Sequence, residues 1–452
     1  MVKSSWQQRI KALCLVLLLL TLVEFIVRGP LRAISLSSDL AVPYLAARAW
    51  RTGGNPYDHD TLDHIWREAG GAPAKKPRQT TTPSVYPPTT LILLSPLTIM
   101  PWRAARYCVL IINIAFTIMV IRSLLSIAHF DPADWRPVLF WAIVLGLAPL
   151  QTGIALGNLI VPSASLALLS VSAAMTKNVY LSGILLALSM CLKPQIGGIF
   201  WLSCALQRRW RICAIGAVAG LLLALIAILH LWSGQIDWVD SWVRNYRDFA
   251  AAGGSNDPTA LNPSRHHLLN LQLLLHTFFE ERWLANLSTL VFVGSQFSVL
   301  CFAGGSGRSK RKSLLNYCVM ILLGLLASYH RFYDATLLIL PLFWSLRSWS
   351  GVHKMEARLS FLLIIPFLLP GAVILKESLD HGYLPHTWKS SWWWNSILLT
   401  HQVWLLAFLS LCLTFALTRG QKSEVRSQKS EVRSQRSEVR SQNEKMNDRY
   451  RI

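Results

Sequence analysis

The sequence predicts an all-α polytopic integral membrane protein. Of its 452 residues, 53% are hydrophobic and only 15% charged. The mean hydropathy is +0.38, and apolar runs recur along almost the whole length. A soluble domain carries roughly 25% charged residues. An apolar surplus of this size, divided into segments approaching the ~20 residues that span a bilayer, calls for lipid as solvent.

The first apolar run, 10–27, follows Lys3, Arg9 and Lys11 and closes in Arg28-Gly29-Pro30-Leu31-Arg32, without a small-x-small cleavage site. It reads as a retained signal anchor with a cytoplasmic N-terminus. Further spans are expected near 104–125, 138–152, 158–175, 179–193, 195–207, 212–232, 283–303, 314–329, 335–346, 359–375 and 397–418. The total is about 10–12 transmembrane helices, with the shorter segments paired, broken or re-entrant. Counting about twelve passes puts Arg208-Arg209-Trp210-Arg211, 308–312, 347–358 and the C-terminal tail on the cytoplasmic side together, as the positive-inside rule requires.

The formal charge of +21 is explained by these clusters. Topology accounts for it better than a polyanionic partner does, and no nucleic acid is expected. The eight cysteines lie in apolar stretches without a Cys-x-x-Cys pair and are expected to be small core residues rather than ligands or disulfides.

Four regions follow. Residues 1–28 form the N-terminal stub and first helix, and 29–103 an extracytoplasmic loop with a re-entrant segment. Residues 104–420 form a multi-helix transmembrane domain, and 421–452 a disordered cytoplasmic tail. The tail repeats Lys-Ser-Glu-Val-Arg-Ser-Gln with one Val per heptad, too little for a coiled-coil seam. Outside the membrane lie 29–103, 233–282 and 376–396, the last with Trp392-Trp393-Trp394 as an interfacial belt.

Polar chemistry concentrates in the first loop. It carries Asp39, then the turn Gly53-Gly54-Asn55-Pro56-Tyr57-Asp58, then 80–82 and Tyr86-Pro87-Pro88-Thr89-Thr90. The apolar stretch 91–100 before Pro101 reads as a half-helix dipping into the membrane. Alternating strands and helices and a Gly-rich phosphate loop are missing from the sequence, so a soluble nucleotide-binding fold is not expected. Lys, Arg and His can hold a phosphate without a divalent ion, so neither a metal nor a cofactor is expected.

These motifs resemble the polyprenol-phosphate-dependent glycosyltransferases of family 87. The resemblance is carried by Asp39, Tyr44, Ala46-Ala47-Arg48 and the Gly-x-x-Pro-Tyr-Asp turn. It continues through Tyr86-Pro87-Pro88 with Ser95-Pro96-Leu97, Gly157-Asn158, Leu192-Lys193-Pro194 and Tyr329-His330-Arg331-Phe332-Tyr333-Asp334. It spans roughly 30–345 with the order kept. The usual Asn-Gln-Ser element of the middle outer loop has no clean copy, the nearest being Asn262-Pro263-Ser264 or Asn270-Leu271-Gln272.

The resemblance implies a GT-C-type membrane fold and an inverting hexosyltransferase. The donor would be a polyprenol-phosphate sugar, with mannose the default hexose. The acceptor would be a glycolipid or cell-envelope glycan, met at the outer face of a bacterial-type plasma membrane. Asp39 is the candidate general base. On the residues alone it reads first as a helix cap ahead of the Ala-rich run, and only the resemblance moves the reading to catalysis. Lys193, His330, Arg331, Tyr86, Asn158 and Asp334 are the candidate donor-phosphate and substrate contacts, with Arg265, His266 and His267 as further cations. Glu24, inside the first span, calls for a partner such as an Arg at a helix end, or for a proton. Asp58 reads first as a turn residue. A lipid-linked-sugar flippase is the alternative, disfavoured because no hydropathy repeat is visible and the polar motifs cluster at one end of the spans.

Overall fold

The computed structural model describes residues 2–69, 83–304 and 310–419. The tail repeat, 80–82 and Arg308 lie outside the described residues. The protein is all-helical, 79% helix, with no strand among the described residues.

Each apolar segment marked out in the sequence is helical. Among the described residues six helices are long and apolar enough to cross a membrane: Trp6–Ser35, Trp102–Ala128, Trp210–Ser233, Arg282–Phe302, Lys354–Asp380 and His401–Arg419. Arg136–Gly146 and Ala148–Leu156 add a seventh if a pair bent by 47° counts as one span. Ile160–Met175, Val179–Leu192, Pro194–Leu206 and Ser313–Ala327 are apolar but shorter. The long helices present Leu13, Leu19, Leu20, Val218, Leu221 and Leu222 outward, as lipid contact demands. The short helices are covered: most of Ile160–Met175 is buried.

Side-chain contacts define the two ends of the bundle. At one end Lys11 Nζ donates to Pro132 O (2.8 Å), Arg136 Nη1 to Leu346 O (3.3 Å), Arg209 Nη2 to Ser313 Oγ (2.7 Å) and Arg419 Nη1 to Glu356 Oε1 (2.8 Å). Helix Pro194–Leu206 runs towards this end, and Lys310–Ala327 runs away from it to Ser328. At the other end the chain breaks at Gly157-Asn158, Lys193 and 328–331. A helix of 14 residues such as Val179–Leu192 is only about 21 Å long. It stops short of the ~30 Å a bilayer core requires. Broken backbone at that depth is tolerated where it lines a cavity.

Over the broken ends sits a second apolar cluster built from the first loop, with Leu40, Tyr44, Leu45, Trp50, Tyr57, Leu62 and Leu91 at its centre. Helix Ser38–Thr52 packs closely through Ala46 and Ala47, both fully buried. The 91–100 stretch is a short helix, Pro88–Leu94, followed by the tight turn Ser95–Ile99. It is pinned to that helix by Arg51 Nε on Thr98 Oγ1 (2.8 Å) and Tyr44 OH on Met100 O (2.8 Å).

Two sequence expectations resolve simply. Glu24 pairs with Arg28 one turn on. Asp58 caps helix His59–Glu68, accepting from Thr61 N at 2.9 Å. The cysteines are all free, but Cys301 is exposed and Cys108 and Cys412 are half-exposed, so the expectation that all eight are core residues fails for these three. Cys301 sits on Arg282–Phe302, one of the helices whose outer side needs only to be apolar.

Candidate active site

The breaks enclose a cavity of about 360 Å3. Six of the seven expected site residues line it: Asp39, Tyr86, Asn158, Lys193, Arg331 and Asp334.

They are brought there by local rules. Gly157 takes a left-handed φ of 64° to end helix Ala148–Leu156, and a Cβ on it would lie 3.0 Å from Leu40 Cβ. The close approach this permits sets Asn158 against the start of helix Ser38–Thr52. Pro194 has no N–H and breaks the ladder after Leu192, which sets Lys193 at the cavity wall and leaves carbonyls unmatched. Thr90 Oγ1 donates to two of those carbonyls, Cys191 O (2.8 Å) and Leu192 O (3.2 Å), and Thr89 Oγ1 to the first at 3.1 Å. The Tyr-Pro-Pro-Thr-Thr and Lys-Pro motifs are therefore two halves of one joint.

A continuous polar chain crosses the cavity wall. Asp39 Oδ2 accepts from Asn158 Nδ2 at 2.8 Å. Asn158 Oδ1 accepts from Ile160 N (2.9 Å) and from Lys193 Nζ (3.4 Å). Lys193 Nζ donates to Asp334 Oδ1 at 2.7 Å, while Asp334 Oδ2 is met by His330 Nδ1 (3.1 Å) and Arg331 N (2.9 Å). Burial alone would push the Asp334 carboxyl up, but Lys193 and His330 outweigh it and hold it below the usual carboxylate range. Tyr86 is pushed well above an ordinary phenol, first by burial and then by Asp39, so it stays a neutral hydrogen-bonding group. Arg331 Nε donates to the Tyr329 hydroxyl, and Lys193 sits 5.0 Å from the Tyr333 ring centroid.

The cap alternative for Asp39 is not the arrangement seen. The N-cap is Ser37, without a side-chain cap bond, and Asp39 lies in the first turn, half-exposed, with its carboxylate turned to Asn158.

The chain's motifs and this arrangement agree with a direct comparison: the model of glycosyltransferase family 87 matches residues 85–329. The chain belongs to glycosyltransferase family 87. No curated protein and no solved structure matches it. Membership makes it a glycosyltransferase, which answers the flippase alternative. The matched stretch includes Tyr86, Asn158 and Lys193 of this family 87 chain; Asp39 precedes it, and His330, Arg331 and Asp334 follow directly after it.

His330 is placed differently from the expectation that it touches donor phosphate. It is fully buried behind the wall, and its Nε2 has no hydrogen-bond partner. Its reach is to Asp334, not to the cavity. Arg265, His266 and His267 also stand outside the lining: Arg265 Nη2 donates to Asn395 Oδ1 at 2.9 Å, and the two imidazoles pack tilted with centroids 4.2 Å apart. Burial, then His266 and Arg331, lowers His267 to about 4, so it is uncharged at neutral pH and supplies no cation. Asn262 and Asn270, proposed as remnants of the Asn-Gln-Ser element, bond within their own loop, to Asp257 O (2.9 Å) and Gln272 Oε1 (2.8 Å).

Sequence reasoning missed Tyr246, Phe249 and Asn256, which also line the cavity. The signal for Tyr246 and Phe249 was the amphipathic run 239–250. Among the described residues no group of three or more His, Cys, Asp or Glu converges to hold a metal.

Proposed function

We propose that the protein transfers a hexose, mannose by default, from a polyprenol-phosphate donor to a glycolipid or cell-envelope glycan with inversion. The observation that carries this reading is the Asp39–Asn158–Lys193 chain, which joins a carboxylate to a cation along one cavity wall. Asn158 engages Asp39 Oδ2, while Oδ1 accepts only a long 3.4 Å bond from Ser38 Oγ and keeps lone-pair capacity for an acceptor hydroxyl. In the step, that hydroxyl oxygen forms a bond to the anomeric carbon while the bond from that carbon to the phosphate oxygen breaks. Asp39 takes the hydroxyl proton, and the polyprenyl phosphate leaves with the electron pair.

Lys193 has three N–H donors, of which Asp334 and Asn158 engage two. The third, together with the Arg331 guanidinium, is suited to the departing phosphate. The N-terminal end of helix Pro194–Leu206 adds positive potential at the same wall, since Pro194 and Gln195 line it. No step requires a metal.

The outer-face location is supported by charge. The end bearing Lys11, Arg136, Arg209, Arg347 and Arg419 is opposite the cavity, and the positive-inside rule assigns such an end to the cytoplasm. The division into an outer loop at 29–103 and a transmembrane domain at 104–420 is part of the same proposal.

The test is transfer of radiolabelled sugar from polyprenol-phosphate mannose, then polyprenol-phosphate glucose, into lipid extracts by purified protein in liposomes. Label moved by the wild type and not by Asp39→Asn is expected. Transfer that survives Asp39→Asn removes Asp39 as the base, and no transfer from either donor overturns the donor assignment.

A further inference from the structure

The cavity has a second wall of different chemistry. Helix Val239–Ala250 lies across the first loop and is bolted to it: Trp242 Nε1 donates to Val85 O (3.2 Å), and Asn245 Nδ2 to Tyr57 O (2.9 Å) and Ser84 O (3.0 Å). Trp238 and Trp242 pack against the Tyr57 ring at 6.0 and 6.1 Å between centroids. These inward contacts leave Tyr246 facing away from the loop core. It lines the cavity yet is 62% exposed, too open to be a packing residue.

The chain then turns back. Asn256 N donates to Phe249 O at 3.0 Å, and Asp257 braces the turn by accepting from Gly253 N at 2.7 Å. Asn256 is thereby set on the cavity beside Phe249. Its Oδ1 is shielded from solvent without a hydrogen-bond partner, a condition that costs free energy and is relieved if the amide turns this oxygen to a ligand in the cavity.

We infer that Tyr246, Phe249 and Asn256 form a saccharide subsite, in which an acceptor sugar ring lies against the aromatic side chains and a ring hydroxyl donates to Asn256 Oδ1. The pairing fits a pyranose, whose C–H face is apolar and whose rim is a ring of hydroxyls. The acceptor is the occupant because the donor has a single hexose attached to the phosphate, which the Lys193 and Arg331 wall claims. An acceptor glycan extends past the reacting hydroxyl towards the open rim, where Tyr246 stands. This inference rests on the donor-side reading given above and assigns the other side of the same cavity.

The test reads binding and so does not depend on transfer. Saturation-transfer NMR on the detergent-purified full chain uses methyl α-D-mannopyranoside and an α-linked mannotriose as sugar probes, and farnesyl phosphate as a probe of the cationic wall. Saturation of the sugar ring protons is expected in the wild type and in Tyr246→Phe. It should fall about ten-fold in Tyr246→Ala and in Asn256→Ala, while farnesyl phosphate binds all four proteins equally. No sugar signal in the wild type, or a sugar signal undiminished in both alanine variants, overturns the subsite. Absence of farnesyl phosphate binding from every protein would instead overturn the phosphate wall, a separate result.

Discussion

Lys193 Nζ lies 2.7 Å from Asp334 Oδ1 across 141 residues of sequence, with both side chains almost wholly buried. A pair this far from water is strongly interdependent: removing one partner strands a charge and costs about 3–5 kcal/mol, whereas replacing both by apolar groups can be neutral. Asp334→Leu is expected to lower thermal stability in detergent by that order. Lys193→Met with Asp334→Leu should recover most of it while remaining inactive, because the cation proposed to meet the phosphate is gone. A double-mutant cycle of melting temperature against transfer activity separates the two effects.

Asn158→Asp places a second carboxylate where the amide now donates to Asp39. Two carboxylates at that spacing hold one proton between them, so the proposed base is available only at higher pH. The pH–rate profile should shift its acidic limb upward, with Asn158→Gln closer to wild type. An unshifted limb would separate Asn158 from the proton-transfer step.

Gly157→Ala forces a left-handed Ala, at about 1–2 kcal/mol, and brings its Cβ to 3.0 Å from Leu40 Cβ. Helix Ser38–Thr52 must move to relieve it, carrying Asp39 away from Asn158. The expected outcome is a folded protein with kcat reduced about ten-fold or more, checked by turnover at saturating donor.

His267 binds fewer protons folded than unfolded, since its value is about 4 against the ordinary 6.5. Its contribution is therefore complete above about 6.5 and is lost as pH falls from there towards 4. The melting temperature of the wild type should decline through that window, and His267→Gln, which cannot titrate, should flatten the decline.

The class of the molecule was legible from residues alone because the bilayer imposes a simple rule: backbone polar groups must be satisfied within helices, so long apolar runs separated by charged turns have few other solutions. Leu192-Lys193-Pro194 likewise announced a break, since Pro cannot continue the ladder. Asp39, Asn158 and Lys193 were readable as candidates through the order of their motifs, each one lying at a helix end.

Roles were less legible than positions, because a role depends on partners distant in sequence. His330 and Lys193 looked alike as phosphate contacts, yet one is buried behind Asp334 and the other faces the cavity. The loss of charge at His267 is likewise a consequence of burial rather than residue type. Tyr246 and Asn256 gained a candidate role only because hydrogen bonds from Trp242 and Asn245 swing their segment over the first loop. Sequence determined the helices, their breaks and the lipid environment, since these follow from local hydrogen bonding and apolar length. Which charges meet, and which face an open cavity, was decided by packing between segments more than a hundred residues apart.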